Sequence, residues 1–488
     1  VRIHLFHIND VHSRLENYMR LGAILRQRRD EVRRRGEPAL TFDLGDLVDR
    51  VRPESEGTLG EVNAALLAAL GCDAWVFGNN EGLTVPVEVW PRLFERSETK
   101  ILVANLERSD GGRFSFIQER AVFVAGSVRI GVFGLTPDYP KPYEFLAANP
   151  LEPFAAAAHQ VQQLKAEGCQ IIIALSHLGL YADRQLALEV PGIDVILGGH
   201  THHFMQAPER VGKTSIFQVG KHALAFGHTQ ITWDETVGRV VEVASETVPV
   251  DVDGPLDQAM LSAYRGWLPV AEQALSGVIT ELPQPLAVAY DRESDFANLL
   301  VDSLYHEYPC DLAVMMAGAL TASLLSGPVT RRHTLAACST PTRPLFMTLS
   351  GADIWKVLEK SLRVEFHLRP GIGFGFRGAV VGWLAIAGGQ VEVAMQPEGP
   401  AIRSIQIGGR PLHREQDYRI ITCEYLWLSP VFEEMQRGRD IQVMPPLVRE
   451  LLQKYLADPA CVQAARRPRY RVQDAGAPTV RPALDSHS

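Results

Sequence analysis

Short apolar runs recur through the first half of the chain, at residues 3–8, 39–44, 74–77, 101–104, 129–135, 171–175 and 195–197. Runs of this length read as strands. Between several of them lie stretches with 3.6-residue spacing, at 18–35, 58–70 and 154–167, which read as amphipathic helices with Gly71 and Gly168 as their C-terminal stops. Strand–helix alternation of this kind predicts an α/β domain with mixed or parallel pairing. A second series of strands is expected from 214 to 250, where Asp251-Val252-Asp253-Gly254-Pro255 breaks the pattern. Residues 256–275 then read as a helix bridging two domains. A new region opens near Leu286, with a helix at 295–306, glycine-rich strands at 371–395 and further strand signals to 422. The expected organisation is a first domain at 1–250, a linker helix within 251–285, a second domain at 286–470 and a tail at 471–488 on the surface or disordered. The arginine-rich stretch 26–35 also carries acidic residues and reads as a solvated helix face.

Length and charge narrow the classes. A chain of 488 residues is too long for one ordinary domain. A net charge of −9 argues against a nucleic-acid polymer as the main partner, because phosphates are neutralised by a basic face. It leaves room for a small phosphate ligand, since bound cations reverse the local sign. The six cysteines are scattered without a CxxC pair, so neither a zinc ribbon nor a disulfide framework is expected. No apolar run is long enough to span a membrane. Residues 2–8 read as a strand rather than a signal segment, and the expected compartment is a reducing cytoplasm. The chain starts at Val1 rather than Met, which leaves a removed leader open.

The candidate chemistry sits where strands end. Five of the apolar runs lead directly into short loops of ligand-type residues: Asn9-Asp10-Val11-His12, Gly45-Asp46-Leu47-Val48-Asp49, Gly78-Asn79-Asn80-Glu81, Ser176-His177 and Gly198-Gly199-His200-Thr201-His202. In an open α/β fold the carboxyl ends of parallel strands converge on one crevice, so residues nearly 200 positions apart can meet there. Imidazole and carboxylate suit Mn, Zn, Fe, Co or Ni, and Asp46 is the natural bridging carboxylate between two such ions. Two metals roughly 3.5–4 Å apart can hold a phosphoryl oxygen, generate hydroxide and stabilise a leaving oxygen. A lone Asp-x-His or His-x-His is usually two surface or core residues. Five such loops, each behind a strand, form a pattern. His4, His7, His159, His203 and His228 read as structural or surface residues, and His222 as structural or as a support for the ligands.

These motifs resemble the calcineurin-like metallophosphoesterases, and within them the two-domain 5'-nucleotidase family. The resemblance implies an N-terminal β-sheet sandwich flanked by helices and a C-terminal α/β domain of the 5'-nucleotidase type. It implies one divalent cation held by Asp10, His12, Asp46 and His202 and a second held by Asp46, Asn79, His177 and His200. It implies hydrolysis of a nucleotide or related small phosphate ester by metal-bound hydroxide, with Asp46, His177 and Asn80 in the catalytic set and Asp49 behind the ligands. The family usually reads Gly-Asn-His-Glu/Asp, and here Asn80 replaces the histidine. The aspartate that often follows three positions later is Leu83. Asparagine donates a hydrogen bond but transfers no proton, and loss of an acid of that kind costs roughly 10²–10⁴ in rate. The Gly-Asn-Asn-Glu-Gly form resembles a leader-less branch of the family.

The second half resembles the family more loosely. Residues 293–299, 327–330 and 349–351 match its pattern. The usual Asn-x-Gly-x-x-Arg reads Met316-Ala317-Gly318-Ala319-Leu320-Thr321, and the usual Gly-Gly-Asp-Gly is replaced near Tyr425-Leu426-Trp427-Leu428. Candidate substrate contacts are Arg343 and the loop carrying Phe374, Phe376 and Arg377, where stacking beside a guanidinium would suit a base. The competing reading has both phenylalanines packed between the domains and Arg377 capping a surface. The eroded motifs also leave a rival function, a metal-containing nucleotide sensor with little turnover.

Overall fold

The structure is a computed structural model and describes residues 1–93, 97–373, 375–397 and 399–473. The chain divides into two units, residues 1–276 and 277–488.

The first unit has two six-stranded sheets. One runs in the order Arg239–Pro249, Ala225–Asp234, Arg2–Ile8, Ala39–Asp43, Ala74–Trp75, Lys100–Ile101. Its last four strands are parallel, and Ala225–Asp234 is antiparallel to Arg2–Ile8. The other runs Glu209–Val211, Thr214–Phe217, Val195–Gly198, Ile171–Ser176, Val128–Leu135, Arg120–Ala125, parallel through its four central strands. Alternation along each strand assigns the faces. Ile3, Leu5, Phe42 and Leu44 of the first sheet share a buried core with Ile171, Ile173, Val195 and Leu197 of the second. Phe6 and Ile8 point the other way, into a core with Tyr18, Leu21 and Leu25 of the helix Leu15–Arg34 and Val62, Leu66 and Leu70 of the helix Glu61–Leu70. The second sheet's outer face is covered by the helices Pro153–Ala166 and Leu180–Glu189. Burial on both faces explains why the strands read as near-continuous apolar runs.

Two expectations change here. The helix expected as a bridge folds as Gln258–Leu275 and belongs to the first unit. Asp257 caps it through Met260 N at 3.0 Å, and Gly57 lets it approach so closely that a Cβ there would lie 2.7 Å from Ala271 Cα. The arginine-rich helix is not wholly solvated. Arg29 is buried and donates to the carbonyls of Leu70 (2.8 Å) and Gly71 (3.0 Å), and Arg26 donates to Ala69 O (2.7 Å) and Asp257 (2.6 Å). Both guanidiniums satisfy the orphan carbonyls at the end of the neighbouring helix.

The second unit holds a five-stranded sheet in the order Leu384–Ala387, Leu312–Met316, Asp417–Cys423, Pro344–Ser350, Arg439–Val443. The amphipathic helix Asp295–Glu307 buries Phe296, Leu299, Leu300 and Leu304. A four-stranded sheet contains Gly389–Gln396 and Gly399–Ile407. In the glycine-rich stretch expected as strands, the described residues up to 383 make only an isolated bridge, Val380 with Pro370, and regular pairing begins at Leu384. Residues expected in the tail, up to Gln473, form the strand Tyr470–Gln473, paired in parallel with Gly389–Gln396. Residues 474–488 lie outside the described residues. Among the described residues no helix is long and apolar enough to cross a membrane.

Candidate metal centre

All five ligand-bearing loops leave the carboxyl ends of parallel strands, three in the first sheet and two in the second. Neighbouring loops are laced by their backbones. Asp10 N donates to Gly45 O (3.0 Å), His12 N to Asp46 O (2.8 Å) and Ser13 N to Leu47 O (3.0 Å), while His222 N donates to Asp10 O (2.7 Å). Glu81, fully buried, clips the second and third loops together. Its carboxylate accepts from Asp46 N (2.9 Å), Gly78 N (2.9 Å) and Val48 N (2.7 Å). Burial and the neighbouring Asp46 carboxylate push its acid up to about 7. The loops are tight enough that a Cβ on Gly78 would lie 2.2 Å from Asp46 Oδ1. Tightness has a backbone cost. Asp10 (φ 53°), His12 (47°), Asp46 (51°), His200 (77°) and His202 (57°) all adopt left-handed conformations. Each such non-glycine residue stores about 1 kcal/mol or more.

The side chains fall into two groups, Asp10 with His12 and His202, and Asp46 with His177 and His200, the ligand atoms of each lying within 4.8 Å of one another. Asp46 faces both: its Oδ1 is 3.4 Å from His177 Nε2 and its Oδ2 is 3.8 Å from His12 Nε2. In the first group His202 Nε2 is 3.3 Å from Asp10 Oδ1 and 3.1 Å from His12 Nε2. His177 Nδ1 donates to Leu44 O at 2.6 Å, which leaves Nε2 as the free acceptor turned to the group. Asn79 Nδ2 donates to Asn80 Oδ1 (3.2 Å), which fixes the amide so that Oδ1 is free. Asp10 Oδ1, Asn79 Oδ1 and His177 Nε2 are buried with no hydrogen-bond partner. Converging acceptors left unpaired at that depth are what divalent cations satisfy, and the mixed N/O set suits Mn, Fe, Co, Ni or Zn. Burial works against charge on His177, yet the Asp46 and Asp10 carboxylates raise it to about 10, so the carboxylates call for positive charge at this point.

Comparison with known proteins agrees with this geometry. Residues 3–204 match the calcineurin-like phosphoesterase family, and residues 276–429 match the 5'-nucleotidase C-terminal domain. The chain is a calcineurin-like phosphoesterase with a 5'-nucleotidase C-terminal domain. The uncharacterized metallophosphoesterase YunD of Bacillus subtilis is 28% identical over 460 residues, covering 93% of this chain and 99% of that protein. The NAD nucleotidase NadN of Haemophilus influenzae superposes with a TM-score of 0.67 at 15% identity, over 98% of this chain and 100% of that one. The 5'-nucleotidase precursor of Thermus thermophilus superposes with a TM-score of 0.58 at 21% identity, over 97% and 99%. At these identities the structural likeness is one of fold.

Within this phosphoesterase centre, Asn80 stands differently from expectation. Its Nδ2 donates to Val48 O (2.9 Å) and lies 3.2 Å from His12 Nδ1, and its Oδ1 accepts from Asn79. The amide expected in the catalytic set is thus committed to Val48 O and to the two ligands beside it. Asp49 Oδ2 is 3.9 Å from His12 Nδ1, on the side away from the first group. His222 packs edge-on against the His12 ring, with 5.9 Å between centroids. His203 bonds Thr201 Oγ1 at 2.8 Å. His4 and His228 bond each other at 2.8 Å, remote from the ligand loops on the strands Arg2–Ile8 and Ala225–Asp234. His7 is a core residue, its ring filling the space a Cβ on Gly227 would take, 1.9 Å away.

Three residues here carried no sequence signal for their role. Glu81 lay inside a motif without an assigned task. Buried Asp183 accepts from Ser176 Oγ (2.5 Å) and Gln218 Nε2 (2.9 Å), bracing the strand end before His177. Tyr139, from an unremarked loop, places its hydroxyl 3.3 Å from His200 Nε2.

The second unit's candidates are occupied internally. Phe376 is 8% exposed and stacks on Tyr425 with centroids 4.6 Å apart, and a Cβ on Gly371 would meet its ring at 1.9 Å. The expectation of an offered aromatic face is corrected: the ring is core, and the glycines on either side make room for it. Arg343 is 5% exposed, with Glu424 Oε2 accepting from its backbone N at 3.0 Å; burial raises the Glu424 acid, and the Arg343 charge offsets part of that rise. Arg377 N donates to Thr340 Oγ1 at 3.1 Å. Phe374 lies outside the described residues.

Proposed function

We propose that this chain hydrolyses a nucleotide or a closely related small phosphate ester at the centre built by Asp10, His12, Asp46, Asn79, His177, His200 and His202. The observation that carries the reading is the pair of buried acceptors without partners, Asp10 Oδ1 and His177 Nε2, beside the Asp46 carboxylate that faces His12 and His177, with Asn79 Oδ1 also buried and unpaired. Two divalent cations held there would supply charge neutralisation at phosphorus and a nucleophile from water at neutral pH. The chain's own contribution is preorganisation. Glu81 fixes the Asp46 loop, Leu44 O fixes the His177 tautomer, and Asn80 fixes the Asn79 amide and abuts His12. These contacts hold the ligands before substrate arrives, so little reorganisation is left for the reaction.

The nucleotide part of the reading is supported by the match of residues 276–429 to the 5'-nucleotidase C-terminal domain. The test is a turnover screen after reconstitution with Mn, Co, Zn or Ni, across nucleoside monophosphates, cyclic nucleotides, dinucleotides and 4-nitrophenyl phosphate. Metal-dependent phosphate release is expected, at more than one metal per chain. Tight nucleotide binding without any turnover would replace the hydrolase by a nucleotide sensor.

A further inference from the structure

Asn80 occupies the position where the family pattern has a histidine, and its amide is spent on Val48, His12 and Asn79. Four hydroxyls in or beside the ligand loops are spent as well. Ser13 Oγ is bonded to Asp49 N, Ser55 and Asn63, Thr84 Oγ1 to Asn80 O, Ser176 Oγ to Asp183, and Thr201 Oγ1 to Gln218. Tyr139 is different. Its hydroxyl touches a ligand imidazole at 3.3 Å, while the residue keeps 39% of its surface exposed.

We propose that Tyr139 is the substrate-facing hydrogen-bond donor of this centre, its phenolic proton directed at a phosphoryl oxygen of the bound ester. This rests on the phosphoesterase reading above. The protons can be counted. With His200 Nε2 turned to Tyr139, the nitrogen left for the group of Asp46 and His177 is Nδ1. A neutral imidazole that ligates through Nδ1 carries its hydrogen on Nε2. That hydrogen is donated to the phenolic oxygen, so the phenol's own hydrogen must point elsewhere, on the residue's exposed side. A phenol is neutral near pH 7, and no proton leaves it: the role is electrostatic.

A second observation ties this tyrosine to the unusual turn. Tyr139 precedes Pro140 at the start of the short helix Pro140–Glu144, and its carbonyl accepts from Tyr143 N at 3.2 Å. Tyr143 is fully buried, and its hydroxyl lies 2.0 Å from where a Cβ on Gly82 would stand. The glycine closing Gly78-Asn79-Asn80-Glu81-Gly82 is therefore the seat of the loop that presents Tyr139. The turn that lacks the histidine is shaped to receive the loop that brings the hydroxyl.

The experiment compares Tyr139→Phe and Tyr139→His with the natural chain, all metal-loaded. It reads metal content, orthovanadate affinity by calorimetry, and kcat and KM on 4-nitrophenyl phosphate. In Tyr139→Phe, metal content is expected to stay the same, vanadate to bind about tenfold more weakly and kcat to fall roughly 10–100-fold, the range for a hydrogen bond to a charged group, with KM nearly unchanged. Tyr139→His, which keeps a donor, is expected to recover part of the vanadate affinity. Unchanged vanadate affinity and kcat in Tyr139→Phe would overturn the assignment. So would loss of bound metal in that variant, which would make the hydroxyl only a prop for His200. If the natural chain binds vanadate but hydrolyses no ester, the phosphoesterase reading fails, and the vanadate comparison still decides the case of Tyr139.

Discussion

The strand-end loops of the first unit and the residues Arg343 and Phe376 of the second both carry candidate binding side chains, and they differ in whether those side chains are satisfied. Among the ligand residues of the first unit three acceptors are buried with nothing to bond, and five sit in left-handed backbone. In the second, Phe376 has Tyr425, and Arg343 is buried against Glu424. A polar or aromatic residue marks a binding site when its capacity is left over after folding. It marks a core when folding has used that capacity up.

The sharpest way to break this contrast is Asp46→Ala. Because Asp46 faces both groups, bound metal should fall from two ions per chain to below one, and turnover by about 10³-fold or more, the several kcal/mol that such charge stabilisation is worth. Metal analysis beside the rate checks it. Retention of both ions would deny the bridging position.

Phe376→Ala asks the converse question of the second unit. A buried phenylalanine lost to alanine should lower stability by about 3 kcal/mol. KM should stay where it was. A raised KM with unchanged melting would return the ring to the substrate.

Glu81→Gln tests the clip behind the ligands. The amide cannot accept at both ends, so one of the three N–H groups is orphaned, costing about 1–3 kcal/mol. Metal affinity should weaken by roughly 10–100-fold, the usual cost of disturbing a residue that supports a ligand. Titration with a competing chelator measures it.

The smallest effect concerns His7, whose burial lowers its pKa to about 3 and whose ring nitrogens have no hydrogen-bond partner. Unfolded, the imidazole takes up a proton below pH 6.5; folded, it does not until about 3. Stability is therefore lost as pH falls through that window. His7→Phe should remove up to about 1.4 kcal/mol of this loss per pH unit, read from urea unfolding at pH 7.5 and 5.5.

The ligand loops were legible in the sequence because each follows its strand directly, so a local pattern held the information. What was not legible depends on distant partners. Arg29 looked solvated until Leu70 and Gly71 supplied the carbonyls it binds. The helix Gln258–Leu275 looked like a bridge until Asp257 met Arg26. Asn80 was read from its place in a motif, and its amide is committed by Val48, more than thirty residues earlier. Arg343 and Phe376 stood as candidate substrate contacts because a local pattern does not fix exposure; packing does, and it buries both.

The left-handed ligand residues have a consequence for how this chain can change. Asp10, His12, Asp46, His200 and His202 would each be more comfortable as glycine, so in the metal-free protein the substitutions that destroy the centre are ones that relax the backbone. Laboratory selection for heat resistance alone would then drift toward dismantling the centre. A screen that rewards metal retention at every round is what keeps the centre in such a lineage.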